Sequence, residues 1–262
     1  MKTFKFHTVK NVKDAVKLSS NKSVYLAGGM TTIPALKLRL ASYSDIIDIK
    51  KIKNLSGIKV SSKSLEIGAT TKHAEVAISK SVVKAIPSLS KLADGIGDPQ
   101  VRNRGTIGGS IANNDPAADY PTACLALNAV IHTNSRKIPA DNFFKGTFET
   151  ALKKGELIES IELKVPEKSC YAKFANPASR YAIVGVYVAK FTKEVRVAIT
   201  GAGSSVFRSK EIESVLSSNF SPSAIESVSI SSEELNSDIH ASSEYRASLI
   251  KTLAKRAVSG CE

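Results

Sequence analysis

Two separate stretches of this chain carry the small, polar residue types that could hold an anion. The longer runs from Asp98 to Asp119, DPQVRNRGTIGGSIANNDPAAD. Gly105, Gly108 and Gly109 stand beside Thr106 and Ser110, and Asn103, Asn113, Asn114, Asp115 and Asp119 lie along the run or at its edges. It has no apolar period, so it reads as a loop and neither as a core strand nor as an amphipathic helix. Glycine permits φ > 0 and the close approach of another molecule. Successive N–H groups in such a loop form a nest for an anion, and Thr and Ser add hydroxyl donors. Phosphate cradling is the chemistry this suits; a glycine-rich hairpin without a ligand is the plainer reading. The second stretch, residues 24–40, reads VYLAGGMTTIPALKLRL. A short strand, 24–27, enters Gly28 and Gly29. Thr32 stands at an N-cap, with Pro34 in the first turn, where no N–H partner is lost. Ile33, Leu36 and Leu40 then mark one helical face. Strand, glycine turn and helix start make an anion site. Two such turns point to a ligand with two phosphates and two ends, a dinucleotide, although neither GxGxxG nor GxxxxGK[ST] occurs.

Other chemistries lack their residues. His7, His73, His132 and His240 are isolated in sequence, with no HExxH and no Cys/His cluster. No GxSxG occurs. Three cysteines, Cys124, Cys170 and Cys261, cannot supply an iron–sulfur cluster and form no CxxC pair. The net charge is +13, but the basic residues are scattered, Trp is absent and no aromatic-interleaved basic stripe occurs, which argues against nucleic acid. A basic surface suits an acidic partner or an anionic cofactor. Arg102 and Arg104 flank the longer stretch and read either as phosphate neutralisers or as solvated side chains. No apolar run is long enough to span a membrane. The start MKTFKFHTVKNVKDA has no apolar segment of a secretory signal, so a cytoplasmic location is expected.

The 262 residues allow one to three domains. Residues 1–55 read as a βαβ-like unit, with Asn11 capping a helix through Leu18 and strands at 24–27 and 46–49 around a helix at 33–41. Residues 56–166 begin with a hairpin, Ile58 and Val60 against Leu65 and Ile67 across a Ser61-Ser62-Lys63 turn. Thr71 is expected to cap a helix to Ile78, and Pro87 to open one to Ala93. Asp119 or Thr122 caps a helix ending near Ala129. Strands are expected at 130–133 and 157–165. Beyond a boundary at 166–169, strands at 171–175, 182–191 and 194–200 form an antiparallel sheet, with helices at 208–216 and 244–258.

AGGMTTIPALKLRLA at 27–41 and VRNRGTIGGSIANNDPAADYPTACLALNA at 101–129 resemble the two FAD-binding signatures of one family. It is the flavoprotein (medium) subunit of the molybdenum hydroxylases, which include carbon monoxide dehydrogenase and xanthine dehydrogenase. FFKGTFETALKKGELIESIEL at 143–163 and KFANPASRYAIVGVYVA at 173–189 resemble it too, so the likeness covers nearly the whole chain in order. It implies an α+β fold: a two-subdomain FAD-binding module (PCMH-type) over 1–166, then a C-terminal domain, 167–262, of a three-stranded antiparallel sheet plus helices. It places Leu26, Ala27, Gly28, Gly29, Met30, Thr31 and Thr32 on the pyrophosphate, through backbone N–H groups. Met30 stands where relatives often carry a polar residue. It places Gly105, Thr106, Gly108, Gly109 and Ser110 near the flavin, ribityl and phosphate, with Ser110 where many relatives have Asn. Asn113 is an extra donor. Asp119 matches an acceptor for a ribose hydroxyl, while its position also suits a helix cap. Leu157 and Ile158 match positions flanking the adenine. Tyr181 matches an aromatic that lies near the isoalloxazine in some relatives.

The resemblance further implies an oxidoreductase subunit with FAD in this chain. Molybdopterin would be held by a large partner subunit and [2Fe–2S] clusters by a small one, in a dimer of heterotrimers. No catalytic residue or metal ligand is expected in the chain itself. Two alternatives remain at this point: a free-standing FAD-dependent oxidoreductase, and a non-catalytic nucleotide-binding scaffold.

Overall fold

The first strands of the chain build a small parallel sheet. In the computed structural model, which describes residues 1–261, β1 (Lys5–Thr8), β2 (Ser23–Leu26) and β3 (Asp45–Asp48) lie in the order β1-β3-β2. Both pairings are parallel, with Lys5 and Ser23 each opposite Asp45. Parallel strands need crossovers, here α1 (Val12–Leu18) and α2 (Thr32–Lys37). The Asn11 side chain caps α1 by accepting from the Asp14 N–H at 2.8 Å, a bond typically worth about 1 kcal/mol. Helix α2 is shorter than expected. Leu38 ends it and Arg39 turns the chain with φ 60, so Leu40 is 79% exposed instead of buried. Thr31, not Thr32, takes the N-cap position, without a side-chain bond.

The second unit is a five-stranded antiparallel sheet in the order β4-β5-β10-β6-β7. Its strands are β4 (Ile58–Val60), β5 (Ser64–Gly68), β6 (Val130–Thr133), β7 (Lys137–Pro139) and β10 (Ile158–Lys164), while β8 (Phe144–Gly146) and β9 (Glu149–Thr150) pair separately. Helices α3 (His73–Ile78), α4 (Lys80–Ala85), α5 (Pro87–Asp94), α6 (Pro99–Arg102), α7 (Ile107–Asn113) and α8 (Asp119–Ala126) pack with it. Leu65, Ile67, Ile107, Ile111, Tyr120 and Ile161 share its core. At about 1.5–3 kcal/mol for each large apolar side chain, such burial dominates the folding energy.

Here three expectations are corrected. The run at 105–113 is not a loop: Thr106 caps α7, its Oγ1 accepting from the Gly109 N–H at 3.1 Å. Thr71 does not cap α3; its hydroxyl bridges the Gly57 N–H and carbonyl at 3.0 and 3.2 Å. Neither Asp119 nor Thr122 caps α8, whose N-cap is Ala118, and the helix stops at Ala126.

The third sheet runs β11-β12-β13-β14, all antiparallel. To the expected three strands, β11 (Lys168–Ala175), β12 (Ala182–Lys190) and β13 (Val195–Thr200), it adds β14 (Phe207–Arg208). Arg208 therefore lies in a strand, and Ser209 caps α9 (Lys210–Ser218). Residues 182–189 of β12 are all buried, because α8 packs on this sheet and α10 (Ser243–Ser259) lays Ile250, Leu253 and Ala257 against it.

Candidate dinucleotide site

A cleft of about 510 Å³ opens where the three units meet. One wall is the turn that leaves β2. Gly29 has φ +78, a left-handed conformation suited to glycine. Among the described residues, no acceptor in the chain takes the N–H groups of Gly28, Gly29, Met30 or Thr31. Four consecutive free amides around a positive-φ glycine make an anion nest. Gly28 packs directly on the second glycine stretch: a Cβ there would lie 2.2 Å from the Arg104 carbonyl oxygen. The absence of that side chain brings the two turns together.

The opposite wall is α7, and its amides are already used. Ile107 donates to the Thr71 carbonyl at 3.2 Å, Gly108 to that of Ala69 at 2.9 Å, and Gly109 to Thr106 Oγ1. The second stretch thus offers side chains and a bare helix face in place of an amide nest. Ser110 and Asn113 line the cleft, and neither side chain has a partner in the described chain. Gly109 is exposed in the cleft. Gly108 serves packing instead, since a Cβ would come 2.5 Å from the Ala69 Cβ.

A buried ion pair fixes the third wall. Asp119 accepts from the Tyr171 hydroxyl and, at 3.1 Å, from Lys173 Nζ. Burial pushes its carboxyl above the usual range, against the pull of Lys173 and Tyr171. Lys173 spends its other N–H groups on the Gly95 carbonyl at 2.9 Å and the Arg180 carbonyl at 3.1 Å. Arg102 donates to the Ile96 and Gly97 carbonyls at 3.1 and 3.0 Å, and Arg180 to that of Gly97 at 3.1 Å. Three cations therefore hold one turn, 95–97. Arg102 also faces Asp94 at 3.6 Å and its side chain is mostly buried, so it is not a solvated arginine. Tyr181, 45% exposed, stands beside Arg180 at the cleft. His73 also lines it, with its ring against Gly105; burial, then the Arg102 charge, lowers its pKa to about 4, so the imidazole is neutral.

The cleft gathers thirteen of the residues expected at the site: Ala27, Gly28, Gly29, Met30, Thr31, Thr32, Gly105, Thr106, Gly109, Ser110, Asn113, Asp119 and Tyr181. Leu26, Gly108, Leu157 and Ile158 do not line it. Leu157 sits in a core with Ile47 and Leu55, against which Tyr25 and Ala27 pack, and Ile158 belongs to the core of the second sheet. The asparagine and serine donors, the free amides and the two-ended cleft fit a dinucleotide. Residues 2–167 match the family model described as the FAD binding domain in molybdopterin dehydrogenase. The chain belongs to that family.

It is 36% identical to the glyceraldehyde dehydrogenase medium chain of Sulfolobus acidocaldarius, over 97% of this chain and 96% of that protein. It is 26% identical to the xanthine dehydrogenase FAD-binding subunit of Escherichia coli O157:H7, over 97% and 94% of the two chains. Its fold superimposes on a chain of carbon monoxide dehydrogenase from Hydrogenophaga pseudoflava with a TM-score of 0.86 at 30% identity, covering 98% of this chain and 96% of that one. This is therefore an FAD-binding medium subunit of the molybdenum hydroxylase type, an oxidoreductase component. Among the described residues no group of His, Cys, Asp and Glu could hold a metal, and no helix is long and apolar enough to cross a membrane. Lys173, Tyr171 and the 95–97 turn were not legible as site residues, because backbone carbonyls and a distant strand assemble that wall.

Proposed function

We propose that this chain carries electrons within a molybdenum hydroxylase complex, from [2Fe–2S] clusters of an iron–sulfur subunit to an external acceptor. The observation that supports it most is the row of free amides at 28–31, facing a cleft whose other wall carries Ser110 and Asn113. In this reading the four N–H groups hold the FAD diphosphate. Gly109 lets the ligand approach α7, while Ser110 and Asn113 donate to it. Asp119, already bonded twice, acts mainly by fixing the wall, with any ribose contact as a further acceptance. Tyr181 offers a ring face to the isoalloxazine. Leu157 and Ile158 support the adenine end from behind. When bound, FAD supplies a ring system that takes up electrons; the protein supplies binding, orientation and electrostatics.

Residues 1–166, with subdomains 1–55 and 56–166, form the FAD module and 167–262 the C-terminal domain. The chain works in the cytoplasm as part of a dimer of heterotrimers, beside a molybdopterin large subunit that sets the substrate. The first test is to denature the purified protein and chromatograph what it releases. FAD is expected; FMN, or no flavin after reconstitution, would overturn the site.

A further inference from the structure

A second cleft lies elsewhere in the described chain. About 910 Å³ in volume, it is lined by Lys10, Lys50, Lys51 and Lys53, with Val12, Ile52 and Leu55 as apolar lining and Glu159 from β10 as the one carboxylate. It shares no lining residue with the FAD cleft.

The fold explains the cluster. β1 and β3 are parallel neighbours, with Thr8 opposite Asp48, so the chain leaves both strands at the same edge of the sheet. Lys10 follows one strand and Lys50 to Lys53 follow the other. In open parallel sheets this carboxyl edge is where ligands collect, and the FAD turn leaves β2 at the same edge.

Lys50 pairs with Asp48 at 3.4 Å. Among the described residues, no carboxylate lies within ion-pair distance of Lys10, Lys51 or Lys53. A concave surface of predominantly one sign, here four lysines against Glu159, focuses the field and concentrates counter-ions. Three lysines without an ion-pair partner, one following β1 and two in the turn after β3, line the one cleft. That suits a compact polyanion better than an extended acidic peptide, which needs cations spread along a groove. We propose that this cleft binds a diphosphate-bearing small molecule, of the nucleoside diphosphate class, independently of FAD. The ammonium groups meet the phosphates, and half-buried Val12 with the methylene stems of the lysines offers the base an apolar surface.

The test is calorimetric titration of the FAD-saturated protein with pyrophosphate and, separately, with ADP, at about 0.15 M salt, while flavin absorbance reports FAD retention. One equivalent of either anion should bind without releasing flavin. The double variant Lys10→Ser/Lys53→Ser removes two exposed, unpaired lysines; it should keep its FAD and its melting temperature, and weaken both anions by about tenfold or more. ADP binding more tightly than pyrophosphate supports the apolar contact with the base; equal affinity removes that contact and overturns the nucleoside assignment. No binding, binding unchanged in the variant, or binding only by displacing FAD would overturn the site, the last while leaving the FAD assignment intact. A Lys153→Ser/Lys154→Ser control should bind both anions as the parent does; equal weakening there would reduce the effect to net charge and overturn the site.

Discussion

Replacing Lys173 by Met removes an ammonium whose three N–H groups are all in use, at 2.9 Å to Gly95, 3.1 Å to Asp119 and 3.1 Å to Arg180. Asp119 would keep only Tyr171. Stripping one partner from a buried ion pair typically costs about 3–5 kcal/mol, because the remaining charge is uncompensated. The carboxylate can limit that cost by protonating. Its pKa is already raised by burial, and loss of Lys173 removes the main opposing pull. A carboxyl whose folded pKa lies above its unfolded value lowers stability as pH rises past the unfolded value. The penalty of Lys173→Met should thus be largest at neutral pH and shrink toward pH 4. Asp119→Asn in the same protein should recover part of it, giving a coupling of about 2 kcal/mol in a double-mutant cycle. Denaturant unfolding of the four FAD-free proteins at two pH values measures this. The loosened wall should also release FAD faster, read by stopped-flow fluorescence. A single-variant loss under about 0.5 kcal/mol with no coupling would refute the buried clamp.

Three further substitutions separate packing from ligand contact. Gly28→Val places a Cβ 2.2 Å from the Arg104 carbonyl and should part the two turns, abolishing FAD retention in a protein whose circular dichroism stays native. Gly108→Val meets the Ala69 Cβ and carbonyl at 2.5 and 2.6 Å and should lower the melting temperature sharply, whereas a Cβ at Gly109 meets only Thr106 Oγ1, at 2.9 Å, so Gly109→Val should weaken FAD far more than it destabilises the apo-protein. Equal effects of these two on FAD and on melting would contradict the division. Glu156 is held down to about 2, chiefly by Arg136. Its stabilisation is complete above the unfolded value of 4.5 and fades as pH falls through about 2, so Glu156→Gln should flatten the acid side of the melting profile.

The hairpin at 58–68 was legible because Ile58, Val60, Leu65 and Ile67 alternate around a serine turn; β5 buries Leu65 and Ile67, while on the edge strand β4 Ile58 is half-buried and Val60 is exposed. Asn11 was legible because a cap is local chemistry. Helix α7 was hidden by its own function. Ile107 and Ile111 hold the helical spacing, but Gly108 and Gly109 between them are poor helix formers, kept small by Ala69 on one side and the cleft on the other. At the first glycine turn the amides of residues 28–31 are left without an acceptor among the described residues, as an anion site needs; at the second they are consumed by Thr71, Ala69 and Thr106. Asp119 was legible as important but not in its bonding. Its partners come from β11, about fifty residues on, and no local pattern announces such a pairing.

The measurement closest to the central claim is affinity purification of this chain, tagged and expressed with its genomic neighbours, followed by flavin and metal analysis of what is retained. FAD is expected together with iron and molybdenum, the metals leaving with partner subunits at high salt while FAD stays with this chain. Recovery of the chain alone, active on an aldehyde, a purine or carbon monoxide without iron or molybdenum, would contradict it.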